Sequence, residues 1–184
     1  MNKIKISKIS PEVFKIRGFE ESLSKKGCFS YPCGKDKKGD ACCGMTVLVD
    51  KMTYSLILKN RKKIERKIKT RIEDCFVDRW SKNPEFLGGA SIETRIRKEN
   101  RKCMFHLIKG RGCELVKLVL NYNLPRRMIP SCCRVYPLDW NRGKLFVHKI
   151  IPKNCYFLKM KRNGQKSLFE TMKKEIRDIF EIKI

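Results

Sequence analysis

The sequence predicts an α+β fold, a small irregular metal-centred domain in which amphipathic helices and short hairpins surround a cysteine cluster. The hydrophobic period switches along the chain between strand-like alternation and helix-like three- and four-residue spacing. No internal repeat or low-complexity segment interrupts the 184 residues. Eight of the ten cysteines, Cys28, Cys33, Cys42, Cys43, Cys103, Cys113, Cys133 and Cys155, recur in separated sets. That is the pattern a soft-metal site needs, because each turn or hairpin delivers two sulfurs and two such elements close a four-thiolate cage. The length predicts one domain, 1–184, with a cysteine-cluster core at 28–155 and a C-terminal helix at 167–182. Such a chain buries an ordinary core without staples.

Residues 1–9 alternate charged and apolar side chains and predict a short strand. Ser10, Pro11 and Glu12 signal a helix start within a first segment that runs to about residue 26 and carries no metal ligand. The cysteine loop follows, with Cys28, Cys33 and Gly34, a charged insert over 35–40, and then Ala41, Cys42, Cys43 and Gly44. Its glycines permit the tight backbone that lets amides approach bound sulfur, and the insert predicts an exposed turn without ligands. Residues 45–49 are strand-like. Over 52–80, Ile64, Ile68, Ile72, Cys75 and Phe76 share one stripe while Arg61, Lys62, Lys63, Arg66, Lys67, Lys69 and Arg71 fill the other faces. This predicts one strongly basic amphipathic helix, ended at Pro84. Cys75 lies on the stripe and reads as a buried small hydrophobe rather than a ligand.

Gly88 and Gly89 mark a loop, and a second basic stretch at 95–102 leads to the later cysteines. Cys103 and Cys113 fall on the arms of a predicted hairpin with Lys109, Gly110, Arg111 and Gly112 as its turn. Residues 115–122 predict a short apolar helix stopped before Pro125. In 130–137 the flanking prolines predict a stiff extended piece carrying Cys132, Cys133 and Arg134. Residues 140–143 predict a turn, and 144–151 a strand ending at Pro152, just ahead of Cys155. Ser167 and Glu170 form a capping box for a helix whose Leu168, Phe169, Met172, Ile176, Ile179 and Phe180 make one apolar face.

Cysteine-rich chains are also built as disulfide scaffolds in secreted domains, so the compartment decides between the two readings. The alternating N-terminal residues offer no apolar h-region and no small-residue cleavage site. No run approaches the roughly 20 apolar residues of a membrane span. The expectation is a cytoplasmic protein with no membrane partner, and in that compartment clustered thiols mean metal more often than disulfide. Lys and Arg number 44 against 19 Asp and Glu, a formal charge of +25. Four thiolates around Zn(II) or a 4Fe–4S cluster in its 2+ state are formally dianionic, so two sites offset only a small share of that excess. The remainder points to nucleic acid, RNA or DNA, or to an acidic protein partner. The helix around 61–71, the run 95–101 and the patch of Lys159, Lys161 and Arg162 are the candidate phosphate track, with Tyr31, Trp80 and Trp140 for stacking. Lysine-rich helix faces are also commonly plain solvated surface.

The order of Cys33-Gly34, Cys42-Cys43, Cys103 with Phe105 and Leu107, Cys113, and then Pro130, Cys133, Arg134, Tyr136 and Pro137 resembles the YkgJ-type cysteine-cluster family. That family is described as a zinc- or iron-chelating domain and includes flagellin lysine N-methylases. The likeness spans 28–155; the insert at 35–40 and the additional thiol of Cys132 depart from it. The resemblance implies that Cys28, Cys33, Cys42, Cys43, Cys103, Cys113, Cys133 and Cys155 contact metal. The count agrees, since eight thiolates suffice for two four-thiolate sites. Adjacent cysteines face opposite ways on a regular strand, so Cys42 and Cys43 serve two nearby sites or occupy a turn that aims both inward. The plainer alternative is that several of these residues are buried thiols. Zinc suits a closed structural cage, whereas an iron–sulfur cluster brings redox or Lewis-acid chemistry. The cysteine excess and the resemblance lean toward 4Fe–4S. His106 and His148, near Cys103 and Cys155 in sequence, are candidate replacements for a thiolate, although packing or surface roles are commoner for histidine.

No Gly-rich cofactor fingerprint, no radical-type three-cysteine motif and no triad or paired-carboxylate constellation is present. Methyl transfer to lysine is therefore an implication of the resemblance alone. Arg134 and Tyr136 are candidates for holding an anion beside the cluster, and the simpler role for Arg134 is to neutralise thiolate charge and donate hydrogen bonds to it. The function read from the sequence is a metal-binding protein holding an iron–sulfur cluster or zinc. The alternatives are a basic nucleic-acid-binding module with structural zinc, and a cluster-dependent protein-modifying enzyme such as a lysine N-methylase.

Overall fold

Isoleucines alternating with lysines become strand β1 (Ile4–Ile6), which buries Ile4 and Ile6 and exposes Lys5. A computed structural model describes residues 3–18, 41–110, 112–148 and 160–182, with the backbone alone for Ala41 and Cys42. The loop 28–40 with Cys28, Cys33 and Tyr31, the far ends of the segments expected to reach residues 26 and 151, Arg111, Cys155 and Lys159 lie outside the described residues. The architecture is α+β, with six α-helices and three small sheets among the described residues.

β1 pairs in parallel with β8 (Phe180–Ile182), joining the two ends of the described chain in the register Ile4 to Phe180. One residue after β1, strand β2 (Lys8–Ile9) runs parallel to β7 (Lys144–Val147), which forms an antiparallel hairpin with β6 (Leu138–Asn141). The turn of that hairpin is Arg142-Gly143, at φ 48° and 69°. Two consecutive left-handed residues give the twist that two-residue hairpins require. The carbonyl of Gly143 accepts from the amides of Ser7 (2.8 Å) and Lys8 (3.2 Å), tying the hairpin to the first strands. The third sheet has the antiparallel order β3 (Leu48–Asp50), β5 (Ala90–Glu93), β4 (Ser81–Lys82).

Helix α1 (Glu12–Lys15) follows the predicted start signal, with Ser10 Oγ hydrogen-bonded to Glu12. Asp50 caps α2 (Lys51–Lys59) by accepting the Thr53 amide at 2.8 Å. The single basic helix expected over 52–80 is instead two helices and a turn. Asn60, at φ −107°, separates α2 from α3 (Arg61–Ile68), and its side-chain amide donates to Leu56 O at 2.9 Å. Lys69 then closes α3 in the left-handed region at φ 55°. The stripe itself is as expected: Ile64, Ile68, Ile72, Cys75 and Phe76 are all buried, the last two reached through the 3-10 turn Glu73–Cys75. Helix α4 (Glu114–Tyr122) stops at left-handed Asn123, ahead of Pro125.

The extended piece expected over 130–137 is another correction, because Ser131–Val135 forms a short helix, α5. Pro130, at φ −51°, starts it, which fits proline's compatibility with a helix N-terminus. Helix α6 (Leu168–Ile179) has the predicted capping box in full. It ends before 182, because Phe180 leaves the helix to enter β8.

Two apolar clusters result. In the first, α3, α4 and the β3–β5 sheet surround Phe76 and Phe105, with Tyr54 and Trp80 against its side. The second packs α6 and the β1 and β6–β7 strands around Leu145, Met172, Ile176 and Trp140. Burying Leu, Ile or Phe side chains contributes about 1.5–3 kcal/mol each. Cys132 touches both clusters, so α5 sits at their junction. No helix among the described residues is long and apolar enough to cross a membrane.

Candidate metal centre

Cys43 sits in a 3-10 turn, Ala41–Gly44, just ahead of β3. Its carbonyl accepts the Cys103 amide at 2.7 Å, so two sequence-distant thiol segments meet main chain to main chain. Thr94 locks the same junction: its amide donates to Val47 O, and its Oγ1 accepts the Val47 amide, both at 2.9 Å. Cys103 is buried in the first cluster, with Sγ 3.7 Å from Thr94 Oγ1. Burial pushes its thiol up from the ordinary cysteine range, with the Phe105 amide opposing. Coordination of a soft cation by Cys103 therefore releases a proton.

Cys113 stands in the residue position before α4, in extended conformation, and pairs across an antiparallel bridge with His106. Leu107 N donates to Gly112 O at 3.0 Å, and the positive φ angles of Gly110 and Gly112 shape the reversal. The predicted reversal is present, with His106 and Cys113 facing each other across it, while Cys103 bridges Ile96 on the preceding segment. Cys133 lies on α5, half-buried against the first cluster. Its neighbour Cys132 donates from Sγ to Leu48 O at 3.4 Å, fastening α5 to β3. Thus three of the eight predicted ligands, Cys103, Cys113 and Cys133, lie in or against the first apolar cluster, and Cys43 is joined to it through the Cys103 main chain.

Among the described residues no three His, Cys, Asp or Glu side chains stand close enough to hold an ion. Cys28, Cys33 and Cys155 lie outside the described residues, as does the side chain of Cys42. The donor set still fits a soft metal in kind, since the described members are thiols and the first cluster behind them is a dry wall. Cys75 behaves as its stripe position implies: it is fully buried, its Sγ donates to Arg71 O at 3.3 Å, and burial pushes its thiol up to about 12. His106 is buried beside the thiol segments, its amide donating to Cys103 O at 2.8 Å. His148 lies next to Asp139, with Nε2 to Oδ2 at 3.8 Å.

Arg134 does not turn toward the thiols. Its guanidinium is 2 % exposed and faces α6, where Nε donates to Glu175 at 2.7 Å and Nη2 to Glu175 and to Asp178, the latter at 2.6 Å. Arg126 also pairs with Glu175, and Arg127 donates to the Asp178 carbonyl at 2.7 Å. The arginine of the cysteine motif is thereby a bracket holding α5 against α6 rather than a counter-charge for sulfur. A signal for this was present in the sequence, since Glu175 falls on the apolar face of α6, where a carboxylate needs a buried partner. Tyr136 is buried, its ring centroid 6.2 Å from that of His148.

The candidate phosphate track is also redrawn. Arg97 donates to the carbonyls of Met104 (2.6 Å) and His106 (2.9 Å), and Arg95 pairs with Asp78 at 2.7 Å, so both work within the fold. Trp140 is buried with its indole N–H on Glu85 O at 2.8 Å and is not a stacking platform, while Trp80 is half-buried and packs edge-on against Tyr54. The α3 residues Lys62, Lys63, Arg66 and Lys67 do face solvent. Comparison with protein-family models, with curated proteins and with solved structures finds no match.

Proposed function

We propose that this chain is a thiolate metal-binding protein that holds an iron–sulfur cluster, with zinc as the alternative metal, through Cys28, Cys33, Cys42, Cys43, Cys103, Cys113, Cys133 and Cys155. The observation that carries the reading is the placement of Cys103, Cys113 and Cys133 in or against one apolar core, with the Cys43 carbonyl hydrogen-bonded to the Cys103 amide. Cys103, Cys113 and Cys133 lie in or against that core and the Cys43 segment joins it through Cys103, with no disulfide among the described cysteines. In this reading the YkgJ-like order of cysteines reflects one ligand set. The cluster, when bound, supplies electron-transfer or Lewis-acid chemistry. The chain's own part is to present thiolates and to set Cys103, Cys113 and Cys133 in or against one apolar cluster.

A serine panel tests it. Cys113→Ser and Cys133→Ser, at half-buried positions, are expected to lose at least half of the metal bound per folded molecule, while Cys75→Ser retains it. Metal is measured on anaerobically purified protein, with circular dichroism confirming the fold. Wild-type metal content in both ligand variants would overturn the assignment.

A further inference from the structure

Helix α3 buries Ile64 and Ile68 and turns the opposite side to water. On that side Lys62, Arg66 and Lys69 follow at i, i+4 and i+7, and Lys63 and Lys67 form a second row beside them. The acids of the same stretch are engaged elsewhere: Glu65 by Arg61 at 3.1 Å and by the Ile72 amide at 2.9 Å, and Glu73 by Arg61 at 2.9 Å. None of the five cations has a carboxylate within ion-pair distance among the described residues. Like charges four apart on a helix destabilise it, so a face this crowded over about 10 Å of helix would gain from an anion bound across it. At its edge Tyr122, the last residue of α4, is 51 % exposed, with Lys63 Nζ 5.3 Å from its ring centroid.

We propose that this face binds single-stranded nucleic acid, the cations following the phosphates and Tyr122 stacking on a base. Cations with an aromatic ring beside them are the combination single-strand binding uses. A duplex keeps its bases inside the stack, whereas a single strand offers both phosphates for the cations and an open base for the ring. The face uses none of the eight candidate cysteines and does not rest on the metal reading.

The test is fluorescence anisotropy of the full chain, purified anaerobically, against labelled oligo-dT and oligo-U of about 15 nucleotides, with polyglutamate as competitor. Binding of either strand supports the proposal, and the tighter one identifies the polymer. The triple variant Lys62→Ala, Arg66→Ala, Lys69→Ala is expected to bind at least about tenfold more weakly. Its salt dependence should be shallower by about 2 in log–log slope, at about 0.7 per lost contact. Tyr122→Ala should cost at least about fivefold. The control triple Lys166→Ala, Lys173→Ala, Lys174→Ala removes the same charge from exposed positions around α6 and should shift affinity by less than about threefold. Thermal melting checks that all variants fold. No binding by the wild type overturns the proposal, as do equal losses in the two triples. Displacement by polyglutamate with Tyr122→Ala silent also overturns it, and gives the face to an acidic protein.

Discussion

Arg134 carries a permanent charge at 2 % exposure, and that charge is tolerated because two carboxylates of α6 meet its fork. Breaking such a buried pair by removing one partner costs about 3–5 kcal/mol, since the other charge is stranded. Arg134→Met is therefore expected to lower unfolding free energy by about that much in urea denaturation. Arg134→Lys should recover little, because an ammonium cannot span Glu175 and Asp178 in the geometry of a guanidinium. Metal bound per folded molecule should not change in either variant, since the guanidinium faces α6. A metal loss without a stability loss would instead return Arg134 to the thiolates. Cys75 gives a second test. With its thiol pushed up to about 12 by burial, it should resist iodoacetamide at pH 8 in the native protein and react on unfolding, read by peptide mass mapping.

At the scale of elements, α6 depends on both of its ends. Ser167 and Glu170 satisfy each other's backbone donors in the capping box, so Ser167→Ala should cost about 1 kcal/mol, measured by thermal melting. Near the other end, burial works against ionisation of Asp178, but the hydrogen bond and charge of Arg134, joined by Arg127, hold the carboxyl below its ordinary range. A depressed carboxyl contributes stability above the unfolded pKa of about 4 and loses it as pH falls through the lower folded value. Melting temperature should therefore drop on acidification below about pH 4, and Asp178→Asn should flatten that drop; superimposable acid profiles would contradict the bracket. The elements also show what a sequence pattern carries. The stripe from Ile64 to Phe76 is legible because periodicity records which side chains are buried. Its breaks at Asn60 and Lys69 are not, since they are set by tertiary and main-chain hydrogen bonds, the Asn60 side chain on Leu56 O and the Glu65 carboxylate on the Ile72 amide, that leave no mark on the hydrophobic period. The helix at Ser131–Val135 is hidden for a related reason: flanking prolines are compatible with an extended piece and with a helix start, and packing against α6 chooses.

For the whole molecule, two apolar clusters share α5 as their junction, and the excess positive charge lies outside both. The α+β class follows from periods that change along the chain. The candidate centre is legible as residue types and order, and only partly as geometry: Cys113 pairs with His106 across the turn shaped by Gly110 and Gly112, while Cys103 pairs with Ile96 across a separate turn over 97–102. Arg134 shows the same limit, since its partners lie some forty residues downstream of the motif that contains it. The account stands on the thiols acting together as one metal-binding set. The decisive measurement is elemental analysis of anaerobically purified protein for iron, zinc and acid-labile sulfide, with an absorption spectrum of the same sample. Iron and sulfide near about four per cluster with broad visible absorption is the predicted result, and stoichiometric zinc without sulfide would keep the thiolate centre with a structural metal. Protein with neither metal, its cysteines paired in disulfides, would contradict the account.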